Sequence, residues 1–257
     1  MATRRALGRL LLWAGLLAGQ LAWAACSKPF TMVTEEWPPY SIGGKTQSGL
    51  DVELAQAIFR EAGCTLYIGD AIPTVRRLLL FRQGKFDLML AASNTPERRV
   101  FANFSSPYRY ESVGLFALAA NIEQFRDVDN FDKFVKGGHH LLVPKVGWYG
   151  PDYANHYNGL KASGRLAEFG TLAQGINMLR AKRAPLLMND ISAASYQARV
   201  ENIEIRQLPF LVLHAPVHLM LSKASTTADD LVQINAAITR LERNGTLQTI
   251  RESYGIH

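Results

Sequence analysis

The sequence predicts an α/β fold made of two strand–helix units in series, each a mostly parallel sheet flanked by helices. Three observations carry that expectation. Short apolar runs alternate with stretches of helical period from residue 30 to residue 200. Each unit orders them strand, helix, strand, helix, strand, which requires parallel pairing through crossover helices. The passage between the units, 112–119 (SVGLFALA), is apolar and strand-like rather than a Gly/Ser linker. Lobes joined by strands imply a hinge rather than independent beads.

The elements follow in order. Residues 30–34 (FTMVT) are a short strand. Residues 50–62 place Leu50, Leu54, Ala57, Ile58 and Ala62 at helical period, and Gly63 ends that helix. A strand at 65–68, a helix at 75–81 stopped by Gln83-Gly84, and a buried strand at 86–91 complete the first unit. A helical turn opens at 94–99, with Pro96 near its start. The second unit reads as strand 141–145, helix 153–163, strand 167–169, helix 172–181, strand 186–188 and helix 191–200. Leu231, Ile234, Ile238 and Leu241 make 228–241 an amphipathic helix, and 246–254 is a last short one.

The N-terminus reads as a secretory signal peptide. Arg4, Arg5 and Arg9 precede a short apolar run, and small residues follow up to Ala24-Ala25. The run is too short for a membrane span, which needs roughly 20 apolar residues. Cleavage after Ala24 is expected, with a periplasmic product. The whole chain carries 28 basic and 22 acidic side chains; without the three leader arginines the balance is 25 to 22, net +3. That charge gives no reason to expect nucleic acid as a partner. The two cysteines, Cys26 and Cys64, suggest one disulfide in an exported protein. A lipidated Cys26 after Ala24-Ala25 is the competing reading. His139-His140 and the His214/His218 pair lack metal-site spacing, so neither a metal nor a cofactor is expected.

Six segments, in order along the chain, resemble one family. Trp37-Pro38-Pro39-Tyr40 resembles its aromatic-x-P-F segment, and Gly49-Leu50-Asp51-Val52-Glu53-Leu54 its G-F-D-V-D-L signature. Gly84-Lys85-Phe86-Asp87 resembles G-K-x-D, Ser93-Asn94-Thr95-Pro96-Glu97-Arg98 resembles S-x-T-P-E-R, and Phe104-Ser105-Ser106-Pro107-Tyr108 resembles F-S-x-P-Y. Leu241 to Leu247 resembles L-x-x-D-G-T-L. The family is that of extracellular solute-binding proteins, family 3, the periplasmic receptors of polar amino-acid ABC transporters. The resemblance implies a two-lobed periplasmic-binding-protein-like clamp of type II. Lobe 1 would comprise 25–110 and the return segment 214–257, with lobe 2 at 111–213 and the signal peptide at 1–24. It also implies a monomer that captures a small amino-acid-like ligand for an ABC permease of the inner membrane.

The expected ligand residues are Trp37, Arg76, Ala91, Ser93, Arg98 and Asp190. Arg98 lies just past the C-terminal end of a buried parallel strand, where open α/β sheets bind ligands. Its planar guanidinium suits a carboxylate, and backbone N–H groups at the helix start would assist. In the family the matching Arg holds the α-carboxylate. Ala91 and Ser93 flank the same strand end. Asp190 follows the buried strand at 186–188; it suits an amino group and equally a helix N-cap. Trp37 matches the aromatic wall over the ligand. Arg76 falls where a subset of the family has P-W-x-R, although Pro73-Thr74-Val75-Arg76 lacks the Trp. The second lobe's G-x-x-x-G-T-S/T is replaced by Gly147-Trp148-Tyr149-Gly150-Pro151, without the hydroxyls. A ligand other than a standard α-amino acid is compatible with that change.

Two other functions fit the same clamp. One is a sensory receptor. The other is an enzyme resembling cyclohexadienyl dehydratases, which needs a proton donor of raised pKa. Asp190 qualifies by type, but the sequence shows no second acid beside it, and a non-enzymatic binding protein is the expected function.

Overall fold

The computed structural model describes residues 26–43 and 47–256. The signal peptide expected at 1–24 lies outside the described residues. Among these residues no helix is long and apolar enough to cross a membrane.

The first lobe starts with β1 (Phe30–Val33), α1 (Leu50–Glu61), β2 (Leu66–Gly69), α2 (Thr74–Arg82), β3 (Leu88–Ala92) and the short α3 (Pro96–Arg99). The long β4 (Ala102–Leu118) leads into the second lobe, followed by a 3-10 helix (Ala119–Phe125) and α4 (Phe131–Lys136). Then come β5 (Leu141–Pro144), α5 (Pro151–Ala162), β6 (Leu166–Phe169), α6 (Leu172–Arg180), β7 (Leu186–Asp190) and α7 (Ile191–Val200). The equally long β8 (Ile205–Ser222) returns, and α8 (Ala228–Arg243) and α9 (Thr246–Ser253) close the chain.

The strand order is β2-β1-β3-β8-β4-β7-β5-β6. β1 pairs in parallel with β2 and β3, and β5 in parallel with β6 and β7. Each lobe thus repeats one arrangement, with its first strand in the middle of a parallel trio. Between the trios, β4 and β8 run antiparallel along their whole length, Ala102 opposite Ser222 and Leu118 opposite Ile205. The sequence marks strand character only in part of each: 112–119 is apolar, while 102–111 is polar and contains Pro107. Pro107 lies at a register shift in the β4–β8 ladder, where its missing N–H costs least.

The two largest of the four buried clusters among the described residues follow this layout. One packs α1, α8 and α9 against β1, β3 and β8, with Phe30, Leu54, Ile58, Leu219, Ile234 and Leu247 fully buried. The other lies around β4, β5 and β7, with Val113, Leu115, Leu141, Leu186 and Met188 fully buried. The strand pair β4–β8 contributes to both, as a hinge requires.

Cys26 and Cys64 are disulfide-bonded, their Cα atoms 5.3 Å apart. The bond ties the starts of β1 and β2, where Phe30 N–H donates to the Thr65 carbonyl at 2.8 Å. A lipidated Cys26 could not make it.

Candidate functional site

The site forms where the C-terminal ends of the parallel strands of both lobes meet. Glu35 and Trp37 follow β1, Ser93 and Arg98 follow β3, Tyr149 follows β5, and Asp190 ends β7. This is the edge at which open α/β sheets place ligands.

The loop after β1 is held by the helix that follows it. Leu50 N–H donates to the Pro39 carbonyl at 3.0 Å, and Asp51 N–H to the Tyr40 carbonyl at 2.9 Å. Two of the donors left over at the start of α1 are satisfied this way. Gly49 makes the approach possible. Its φ is +107°, and a Cβ there would stand 2.7 Å from the Tyr40 carbonyl oxygen. The loop thereby presents Trp37 and Tyr40 to the site, their rings tilted against each other with centroids 4.6 Å apart.

A buried polar network links this loop to the hinge and to the second lobe. Arg109, on β4, grips Asp51 with two hydrogen bonds, Nε to Oδ1 at 2.5 Å and Nη2 to Oδ2 at 2.7 Å. Both side chains are shut off from solvent. Asp51 is therefore more than an acid at a helix start: it balances the guanidinium at the hinge. The Arg109 guanidinium also lies over the Tyr40 ring, 4.0 Å from its centroid. Tyr40 in turn donates its hydroxyl to Asp190 Oδ1 at 2.9 Å. The same oxygen accepts from Ala193 N–H at 2.9 Å, so Asp190 N-caps α7 while meeting the first lobe. Burial raises the Asp190 pKa, against the pull of Arg109 and the N–H and O–H donors. Burial also raises the Tyr40 hydroxyl, with the Asp190 charge adding to it.

Arg98 is half-buried on the one-turn α3. Its Nη1 donates to the Ser93 carbonyl at 3.1 Å. Thr95 caps the turn and takes the Arg98 backbone N–H at 3.4 Å. Burial lowers the guanidinium pKa, and Tyr149, Glu111 and Glu97 oppose that. Ser93 itself is buried. Ala91 adopts a left-handed φ of 51° at the irregular end of β3, and its N–H donates to the Tyr108 hydroxyl at 2.8 Å.

Of the residues expected from the sequence, Trp37, Ala91, Ser93, Arg98 and Asp190 all lie at these strand ends. Arg76 differs: it is exposed on α2 and has no hydrogen bond or ion pair among the described residues. The buried arginine of that helix is its neighbour Arg77, which pairs with Glu35.

Sequence reasoning missed four residues. Tyr40 and Arg109 build the network above. Tyr149 stands where the hydroxyls of the family pattern are absent. Its own hydroxyl donates to the Val146 carbonyl at 3.0 Å, and burial and the nearby Glu111 raise its pKa. Glu111, on β4, is the second acid that the sequence did not reveal beside Asp190. Only 7 % of it is exposed. Burial, with the Asp190 charge adding to it, raises its pKa to about 7. The one available signal was an acid inside the otherwise apolar run after Tyr110.

Residues 31–257 match the family of bacterial extracellular solute-binding proteins, family 3. The chain belongs to that family. No curated protein sequence matches it significantly. Solved structures share the fold at low identity. An amino-acid ABC transporter substrate-binding protein from Streptococcus pneumoniae bound to L-arginine is 19 % identical, with TM-score 0.69, covering 88 % of this chain and 93 % of its own. The GluR0 ligand-binding core complexed with L-glutamate is 18 % identical, with TM-score 0.71 and coverage of 89 % and 98 %. A histidine kinase sensor domain similar to periplasmic binding proteins is 17 % identical, with TM-score 0.69 and coverage of 89 % and 96 %. At these identities the likeness is one of fold: two lobes, as the motifs implied.

Proposed function

We propose that this family 3 solute-binding protein is exported to the periplasm, captures a small amino-acid-like ligand between its lobes as a monomer, and delivers it to an ABC permease. One observation carries the reading. Opposite charges from the two lobes, Arg98 from the first and Asp190 from the second, both act on the buried Glu111 between them, at the strand ends where the fold binds ligands. In this reading Arg98 holds the ligand's anionic end through its planar guanidinium. Ala91 and Ser93 line the same strand end, Asp190 lies at the opposite end, and Trp37 with Tyr40 forms the apolar wall. The lobes comprise 25–110 with 214–257 and 111–213, turning about β4 and β8. Arg76, exposed on α2, plays no part in the site.

Thermal-shift screening of the processed protein against amino acids, amines and small organic acids tests this reading. A ligand at 100 times its Kd adds about 2.7 kcal/mol of stability. Arg98→Ala should then weaken a carboxylate ligand more than tenfold, about 1.4 kcal/mol. An unchanged affinity would remove Arg98 from the site. Small-angle scattering should give a smaller radius of gyration at saturation, and an unchanged radius argues against a clamp.

A second reading is favoured by Glu111, an acid with a pKa of about 7 near Asp190, as proton-transfer chemistry requires. Mass spectrometry of the ligand after prolonged incubation separates the two. A binding protein returns it unchanged, while an enzyme does not. A sensory role for the same clamp is decided by whether the membrane partner is a permease or a signalling protein.

A further inference from the structure

Three buried carboxyl groups lie along the inter-lobe network, and two of them are already matched. Asp51 takes two hydrogen bonds from Arg109. Asp190 takes the Tyr40 hydroxyl and the backbone N–H groups of Ala193 and Ser192. Glu111 differs. It is 7 % exposed and has no hydrogen bond or ion pair with any described residue.

Its position follows from strand geometry. On β4 the buried side chains alternate as Arg109, Glu111 and Val113, while Tyr110 and Ser112 face the other way. Val113 pairs with Asp190, the last residue of β7. Because the pair is antiparallel, Glu111 stands two residues beyond the end of β7, level with the start of α7. The charged groups that act on it come from every side: Asp190 from the second lobe, Asp51 and Arg98 from the first, and Arg109 from its own strand. Tyr149, on the second-lobe loop, also senses it. A buried carboxylate without a donor is unfavourable, and the unfavourable charge is removed by a bound proton or by a bound cation.

Building on the proposed capture site, we propose that Glu111 is its cation receptor: it pairs with an ammonium or guanidinium group of the ligand, and so selects ligands that carry a positive charge besides the one matched by Asp190. The charge balance agrees. Arg109 is committed to Asp51, and Arg98 matches a ligand carboxylate. A zwitterion then leaves one of Asp190 and Glu111 uncompensated. A basic amino-acid-like ligand, with one carboxylate and two cationic groups, neutralises both. When such a ligand arrives at a pH below about 7, the proton on Glu111 leaves to solvent as the ion pair forms.

Calorimetry with matched probes tests the assignment: L-arginine against its neutral isostere L-citrulline, and L-lysine against its neutral isostere L-2-aminoheptanoic acid. At pH 8 at least one basic probe should bind the wild type tenfold or more tightly than its isostere. Glu111→Gln should bring that ratio below about threefold. At pH 6 the wild-type binding enthalpy of that probe should vary with the ionisation enthalpy of the buffer, which reports proton release without any variant. The inference is overturned if neither basic probe outbinds its isostere, if Glu111→Gln preserves the ratio, or if the enthalpy is independent of buffer. Arg98→Ala distinguishes this failure from failure of the capture site. Weakened binding of every probe by Arg98→Ala, with a ratio indifferent to Glu111, leaves the site standing and removes only the cation receptor. Affinities indifferent to Arg98 would instead remove the carboxylate end of the site.

Discussion

The Tyr40 hydroxyl donates to Asp190 Oδ1 at 2.9 Å, joining two buried side chains 150 residues apart in the chain and on opposite lobes. Tyr40 is fixed from below by the start of α1 and from the side by Arg109, while Asp190 is fixed by its N-cap role on α7. The bond is therefore a latch between two rigid pieces.

Tyr40→Phe removes the latch without changing ring packing. Asp190 keeps its backbone donors but loses one partner, a cost of about 1–3 kcal/mol for a buried acceptor. Urea denaturation should show that loss. Small-angle scattering should show a larger radius of gyration as the lobes part; an unchanged radius would mean that other contacts hold them together.

Arg109→Met should be among the most damaging substitutions in the hinge. It leaves the Asp51 charge buried without its guanidinium partner, at about 3–5 kcal/mol. The double variant Arg109→Met with Asp51→Asn should recover part of that loss, because no buried charge remains. If the double variant is no more stable than Arg109→Met alone, the pair is not the unit it appears from its geometry.

Glu111 ties stability to pH. Its pKa in the folded chain is about 7, above the ordinary value of 4.5. The unfolded chain thus gives up this proton first as pH rises. Stability attributable to the group is intact below about pH 4.5 and is lost between there and about pH 7. Glu111→Gln mimics the protonated acid, so it should match the wild type at pH 4 and exceed it at pH 8. The difference is on the order of 3 kcal/mol, at about 1.4 kcal/mol per pKa unit. Chemical denaturation at both pH values measures it, and equal stabilities at pH 8 would contradict the burial of a charged Glu111.

Opening the Cys26–Cys64 bond should lower stability through the unfolded chain. The cysteines are 38 residues apart. Chain entropy gives about 4 kcal/mol as an upper guide for a loop of that length. The double serine variant should therefore unfold at lower urea than the wild type and respond to no reductant. Ligand affinity should not change, because the bond lies at the starts of β1 and β2, away from the strand ends that carry the site.

Local patterns in the chain were enough for the alternation of elements, the family and the strand ends at which a site was expected. Those features are written locally: helical period in 50–62 and 228–241, glycine where the chain turns, and Arg98 and Asp190 just after buried strands. The disulfide was legible too, since two cysteines at the starts of adjacent parallel strands have few other partners. The full length of β4 and β8 emerges only in the folded chain, because polar residues and Pro107 hide strand character that pairing alone imposes. Folding alone separated buried Arg77 from exposed Arg76, one residue apart on the same helix. It alone placed Tyr40 against Asp190, Arg109 against Asp51, and Glu111 within reach of those charges without a hydrogen-bonding partner of its own. Partnership between residues up to 150 positions apart leaves no mark in local period or composition, because it arises when two lobes and a hinge bring their charges into one low-dielectric space.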